Sequence, residues 1–191
     1  MKSWGRLLLC GIVGGVIGSG GAIWSVRAGS LGMQTAIGPW QTGRDFGTAR
    51  ASPYIRAVVA LRGLLALPAH EARYYTAATD SAGRPLDGNC RYRIEGGALP
   101  AAWWSLTLYD PAGYLVDNSA GIHAIGSAGL PPAEAVHWTV TMAPDRQPGH
   151  WLPTGRARRV QLTLRAYLPQ DGGTGDLTTA QLPVITREGC A

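Results

Sequence analysis

Four stretches of this chain change polarity at every second residue, and that rhythm leaves few folds open. In "NCRYRIEG" Cys90, Tyr92 and Ile94 alternate with Arg91, Arg93 and Glu95. "VHWTVTMAP" sets Val136, Trp138, Val140 and Met142 together. "RRVQLTLRAYLP" sets Val160, Leu162, Leu164, Ala166 and Leu168 against Arg159, Gln161, Thr163, Arg165 and Tyr167. Neighbouring side chains on a strand point to opposite faces. Each stretch is therefore predicted as a strand with one face in a core and the other wet or covered. The fourth stretch, "AAWWSLTLYDPAG", carries two adjacent tryptophans that alternation must separate. Trp104 falls with Leu106 and Leu108 and is expected in the core. Trp103 falls with Ser105, Thr107 and Tyr109, and needs another explanation.

Turn chemistry lies between these runs. Asp110, Pro111 and Gly113 stand where a type I turn wants them, so the tryptophan strand is predicted to turn into a hairpin with "YLVDN". "EARYYTAAT" is a further strand, followed by a turn at Ser81 to Pro85. "AQLPVITREGC" is a last, proline-marked edge strand. The fold class expected is mainly β: an antiparallel β-sandwich or barrel-like sheet with one amphipathic helix, preceded by an N-terminal transmembrane helix.

The first residues have a different character. No charge falls between Arg6 and Arg27. At about 1.5 Å per residue that gap crosses a hydrocarbon core of about 30 Å. Trp4 and Trp24 bracket it as interfacial anchors do. The preferred reading is an uncleaved anchor contacting the membrane through residues 4–26. The alternative is a signal peptide cut near "VRA", although signal cores run only about 7–15 residues. Lys2 and Arg6 precede the span, which places the N-terminus in the cytoplasm and the rest in the periplasm, a single-pass inner-membrane topology. Gly11, Gly14, Gly15 and Gly18 form two overlapping GxxxG pairs, a face on which a helix of a membrane-protein partner can pack closely.

Cysteine usage agrees with export. Cys10 sits in the span, leaving Cys90 and Cys190 as a pair expected to form one disulfide in an oxidising compartment. The net charge of +5 is carried almost wholly by arginine, since Lys2 is the single lysine. The arginines are dispersed, and the one cluster, Arg156, Arg158 and Arg159, reads as a strand entrance. No nucleic-acid partner is expected.

Three parts are expected: an anchor over 1–27, a linker over 28–48, and a β-rich domain over 49–191. The linker is rich in glycine and lacks periodicity. The domain opens with a helix, capped by Ser52 with Pro53 at its first position. Tyr54, Val58, Leu61 and Leu65 recur at helical spacing, and the helix should end before Pro68. It supplies one explanation for Trp103, which it would cover. The other is an open aromatic platform for a ligand or partner.

The run "CRYRIEGGALPAAWWSLTLYDPAGYLVDN", followed by "QPGHWLPT" and "VQLTLRAYLP" in that order, resembles the family catalogued as domain of unknown function 1214. The resemblance spans roughly Glu71 to Cys190. It implies a β-rich, sandwich-like domain and brings no settled activity or catalytic residues. Many members carry a second uncharacterised domain in front, catalogued as 1254. This chain resembles instead a short, anchored type braced by the cysteine pair.

Chemistry is hard to find. His70, His123, His137 and His150 stand at no metal-ligand spacing, and the single ExxH of Glu134 and His137 is weak. No GxSxG or GxxxxGK[ST] occurs. Asp110 and Asp117 flank the hairpin as a carboxylate pair, but the turn itself accounts for Asp110. No catalytic residue, metal site or cofactor is assigned. The candidate ligand or partner face comprises Trp103, Tyr109, Tyr114, Asn118 and Trp151. Three functions fit these features. The leading one is a membrane-anchored envelope domain binding a partner or small ligand. The others are a single-span accessory subunit of a membrane complex and an envelope enzyme acting on carbohydrate or lipid.

Overall fold

The computed structural model describes residues 2–27, 35–43, 48, 51–61, 67–155 and 157–190. Helix α1 runs Lys2–Arg27, and its apolar portion, Trp4–Ser25, is 22 residues long with a mean hydropathy of 1.9. Side chains from Trp4 to Trp24 are all exposed. By length and composition α1 suits a single-pass anchor or a signal anchor.

The rest is mainly β, in two sheets. Strands β1 (Thr35–Ile37), β2 (Trp40–Thr42), β3 (Ala72–Ala77), β9 (Gln161–Pro169), β5 (Ala101–Tyr109) and β6 (Ala124–Gly126) form a six-stranded sheet in that order. Strands β10 (Val184–Cys190), β4 (Cys90–Gly97), β7 (His137–Ala143) and β8 (His150–Pro153) form a four-stranded sheet. Neither closes into a barrel. Their inner faces share one core, in which Trp104, Leu106, Leu108, Leu162 and Leu164 meet Tyr92, Ile94, Trp138, Val140 and Met142. The period-two reading thus locates the core faces of β4, β5, β7 and β9, except that Val136, expected inward with Trp138, precedes β7 and is 72% exposed.

Four expectations need correction. The sandwich is not wholly antiparallel, because β8 runs parallel to β7. Its Trp151 Nε1 donates to the Ala143 carbonyl (3.0 Å), closing the connection that brings the chain back alongside. The stretch 28–48, expected as a linker, holds the β1–β2 hairpin. Trp40 from that hairpin is buried, and its Nε1 donates to the Pro183 carbonyl (2.8 Å), so one edge of the six-stranded sheet is tied to the segment entering β10. Three-residue strands are too short for a periodic signal to emerge. "YLVDN" pairs with β5 only through the isolated bridge Tyr109↔Leu115. Asn118 then takes over the backbone: its Nδ2 donates to the carbonyls of Val116 and Ile122, and its Oδ1 accepts the Ile122 amide. Pairing with β5 resumes only at β6. Finally, alternation in β9 breaks at Leu168, which is exposed with φ +49°.

Helix α2 runs Pro53–Leu61. Ser52 caps it as expected, its Oγ accepting the Ile55 amide at 3.3 Å. The predicted continuation toward Pro68, with Leu65, and the side chains of Val58 and Leu61 lie outside the described residues. Tyr54 ties α2 to the last turn of α1, its hydroxyl donating to the Ser25 carbonyl (2.7 Å).

Cys90 and Cys190 are bonded, and they face each other at the ends of β4 and β10. Edge strand β10 is further held by Arg187, whose Nε donates to the Tyr92 hydroxyl (3.1 Å) and whose guanidinium lies over the Tyr92 ring. At the Ala72 end of the sandwich, Arg73 is 4% exposed and pairs with Asp176. It also donates to the carbonyls of Gly173 (3.0 Å) and Gly175 (2.7 Å), so the β9–β10 connection wraps around one buried cation. Burial of such a charge is tolerable because the Asp176 carboxylate balances it and two carbonyls accept from it.

Candidate functional site

The outer face of the six-stranded sheet is built by three strands in tight register. Ala72 of β3, Tyr167 of β9 and Trp103 of β5 form one row; Tyr74, Arg165 and Ser105 the next; Thr76, Thr163 and Thr107 the third. The threonine row is the dry centre of the face, with Thr107 and Thr163 buried. Arg165 lies across the middle: one terminal nitrogen donates to Thr107 Oγ1 (3.1 Å) and the other to the Tyr109 hydroxyl (2.6 Å). Its guanidinium also lies over the rings of Tyr109 (5.4 Å) and Tyr74 (5.9 Å). Burial raises the Tyr74 phenol above its ordinary pKa, against the Leu67 amide that donates to its oxygen.

Trp103 stacks on Tyr167 with ring centroids 3.7 Å apart and planes 6° from parallel. It remains 44% exposed. Trp103 is therefore not fully covered: one ring face lies on Tyr167 and much of the rest meets solvent, while Val58, Leu61 and Leu65, the helical residues expected over it, lie outside the described side chains. Cross-strand aromatic pairs form this way when they stand directly opposite on one face.

The five candidate residues do not form one face. Trp103 and Tyr109 share the outer face of the six-stranded sheet. Tyr114 projects from the turn beyond β5, and Asn118 is occupied in organising the next loop. Trp151 belongs to β8, in the other sheet. The residues that do join Trp103, namely Tyr167, Tyr74 and Arg165, come from strands far away in sequence. Alternation marks Arg165 and Tyr167 as the outward side of β9, but pairing of β9 with β5 is not encoded in either run alone.

Residues 71–171 match the profile of the family described as "Protein of unknown function (DUF1214)". The chain belongs to the DUF1214 family. Among solved structures, the VPA0106 protein of Vibrio parahaemolyticus is similar at 23% identity and a TM-score of 0.58, over 73% of this chain and 36% of that one. A protein of Burkholderia cenocepacia matches at 14% identity and a TM-score of 0.49, over 74% and 46% of the two chains. This DUF1214 chain thus spans about a third to a half of these longer proteins, and the first likeness is one of fold alone. No curated protein matches the chain.

Elsewhere on the DUF1214 domain, Asp110, Val116, Asp117, Asn118, Pro144 and Gly155 line an open cleft of about 690 Å³. Asp110 spends one carboxylate oxygen on the amides of Ala112 and Tyr114, as a turn residue does. Glu134 pairs not with His137 but with His150, at 2.8 Å. Among the described residues, no three His, Cys, Asp or Glu side chains converge to hold a metal ion. Along α1, the positions where Gly11, Gly14, Gly15 and Gly18 would carry Cβ atoms are open.

Proposed function

We propose that this protein is a membrane-anchored envelope domain that binds a partner or small ligand through the aromatic end of its six-stranded sheet. The observation that carries the reading is the Trp103–Tyr167 stack, a large aromatic surface left half open on a face whose other members are satisfied or buried. Exposed paired aromatics on a rigid sheet offer contact area at little entropic cost. The anchor is α1, with Lys2 and Arg6 on the cytoplasmic side and the β-domain in the periplasm. The Cys90–Cys190 bond supports that placement, since such bonds persist in oxidising compartments.

The test is purification of the full chain, and of its Trp103→Ala and Tyr167→Ala variants, from membranes in mild detergent. Mass spectrometry then compares what each retains. A molecule held by the wild type and lost from both variants, with circular dichroism unchanged, is the expected result. Identical bound material in all three overturns the reading. Loss of a protein partner on replacing Gly14 and Gly18 by leucine, but not on replacing Trp103, would favour the accessory-subunit function instead.

A further inference from the structure

The end of the sandwich that displays Trp103 also displays leucines. Leu67 is 38% exposed and its amide donates to the Tyr74 hydroxyl (3.0 Å). Tyr74 pairs in register with Arg165, so Tyr167, two residues along β9, is its diagonal neighbour on the same face. Tyr167 stacks on Trp103, and Leu168 follows, 57% exposed. Leu67, Tyr74, Tyr167, Trp103 and Leu168 thus gather at one end of the molecule, with the exposed His70 and Glu71 side chains among them.

Leu168 makes this rim unusual. It is the one residue other than glycine with positive φ among the described residues, at +49°. Leucine rarely adopts that conformation, because its Cβ crowds the backbone. Here its amide donates to the Glu71 carbonyl (2.8 Å), so the bend serves the backbone, yet a glycine or asparagine would serve it with less strain. A strained apolar side chain held out into water is a reason to look for what receives it.

The chain path says which way this end faces. The β1–β2 hairpin pairs with the upper half of β3, Trp40 with Ala77 and Gln41 with Thr76. Its turn, Gly38 and Pro39, therefore points away from Ala72, and its open end, Thr35 with Thr42, points toward Ala72. Ala72 lies in register with Tyr167, in the rim. Both the strand that follows α1 and the strand that leads to α2 are thus open toward the rim end. At α2, Tyr54 is bonded to Ser25, the last residue of the apolar span.

We propose that this rim rests on the surface of the bilayer that carries α1, with Trp103 and the two leucines among the lipid headgroups and upper acyl chains. The inference rests on reading α1 as an uncleaved anchor, and it names the lipid surface as what the aromatic end binds. Tryptophan and tyrosine favour that depth because one part of the ring system is apolar and the other can stay wet. A sugar would want free hydrogen-bonding groups beside the indole. Instead, Arg165 is engaged by Thr107 and Tyr109, and Leu67 and Leu168 stand exposed at this end; the exposed His70 and Glu71 side chains beside them would lie at headgroup level.

Spin labels on the full chain in phosphatidylcholine–phosphatidylglycerol vesicles test this. With Cys10→Ser as background, single labels are placed at Ile12→Cys in α1, Leu168→Cys in the rim and Ala112→Cys in the turn at the far end. Accessibility to oxygen and to a water-soluble nickel chelate reports depth. Labels 12 and 168 should favour oxygen, and label 112 the chelate. If label 12 is buried in lipid and label 168 is as aqueous as label 112, the seating is overturned while the anchor stands. If label 12 is aqueous, the anchor fails and the seating with it. A second readout avoids labelled cysteines: brominated lipids should quench the wild type more than Trp103→Phe, and equal quenching counts against the seating.

Discussion

Trp104 of the six-stranded sheet lies on Trp138 of the four-stranded sheet, with ring centroids 4.2 Å apart and planes 30° from parallel. The contact joins the two layers at the centre of the core. The Trp138 indole is also pressed against the backbone of β4: its Nε1 donates to the Gly97 carbonyl at 2.9 Å, and a Cβ on Gly96 would fall 2.1 Å from Trp138 Cζ2. Trp104→Ala should therefore cost about 3–5 kcal/mol, as large aromatic truncations in cores do. Gly96→Ala should cost about 1–3 kcal/mol by displacing the indole. Urea midpoints measure both, and a neutral Gly96→Ala would show that Trp138 has room the structure does not give it.

Breaking the Cys90–Cys190 bond should lower stability by roughly 4–5 kcal/mol, the chain-entropy value for a loop of about 100 residues. Its removal also releases the end of edge strand β10. The check is urea unfolding with and without reductant, alongside mass spectrometry of unreduced protein. Free thiols at both positions in protein from the native compartment would contradict the bond itself.

Stability should fall on the acid side through Asp80. Burial works to raise its pKa, but the Arg84 amide and guanidinium and the Ala82 amide outweigh this and hold it below its ordinary value of 3.8. A carboxylate whose folded pKa is depressed contributes stability that is present above its unfolded pKa and is lost as pH falls through the folded one. Asp80→Asn should thus weaken the fold at pH 7 and flatten the decline below about pH 4. Asp171, lowered by the Gly175 and Gly173 amides, should keep part of that decline. Urea midpoints across pH 7 to 3 decide this, and an unchanged slope in Asp80→Asn would discount the residue.

Leu168→Gly should stabilise the isolated fold by up to about 1 kcal/mol, because glycine removes the left-handed strain and returns part of it as unfolded-state freedom. The measurement is the thermal midpoint in detergent. A lower midpoint would mean that the leucine side chain makes contacts within the domain that outweigh its backbone.

Local regularities are legible in the chain itself. Alternation places Trp104, Trp138 and Leu164 inward and Trp103, Arg165 and Tyr167 outward, because a strand offers each residue only two directions. The uncharged run between Arg6 and Arg27 marks one apolar helix, because length and charge alone decide whether a segment can cross a bilayer. The Ser52–Pro53 pair marks a helix start, because the first amides of a helix need a side-chain acceptor. Tertiary structure decided everything that depends on which strands become neighbours. Trp103 meets Tyr167 because β5 pairs with β9, more than fifty residues later. Trp40 enters the core through a hairpin whose three-residue strands have no period to read. Trp151 joins the other sheet through a parallel pairing that turn chemistry does not announce. Strand direction is local, whereas pairing is chosen by the whole core at once, so the aromatic end exists only once the two sheets have formed.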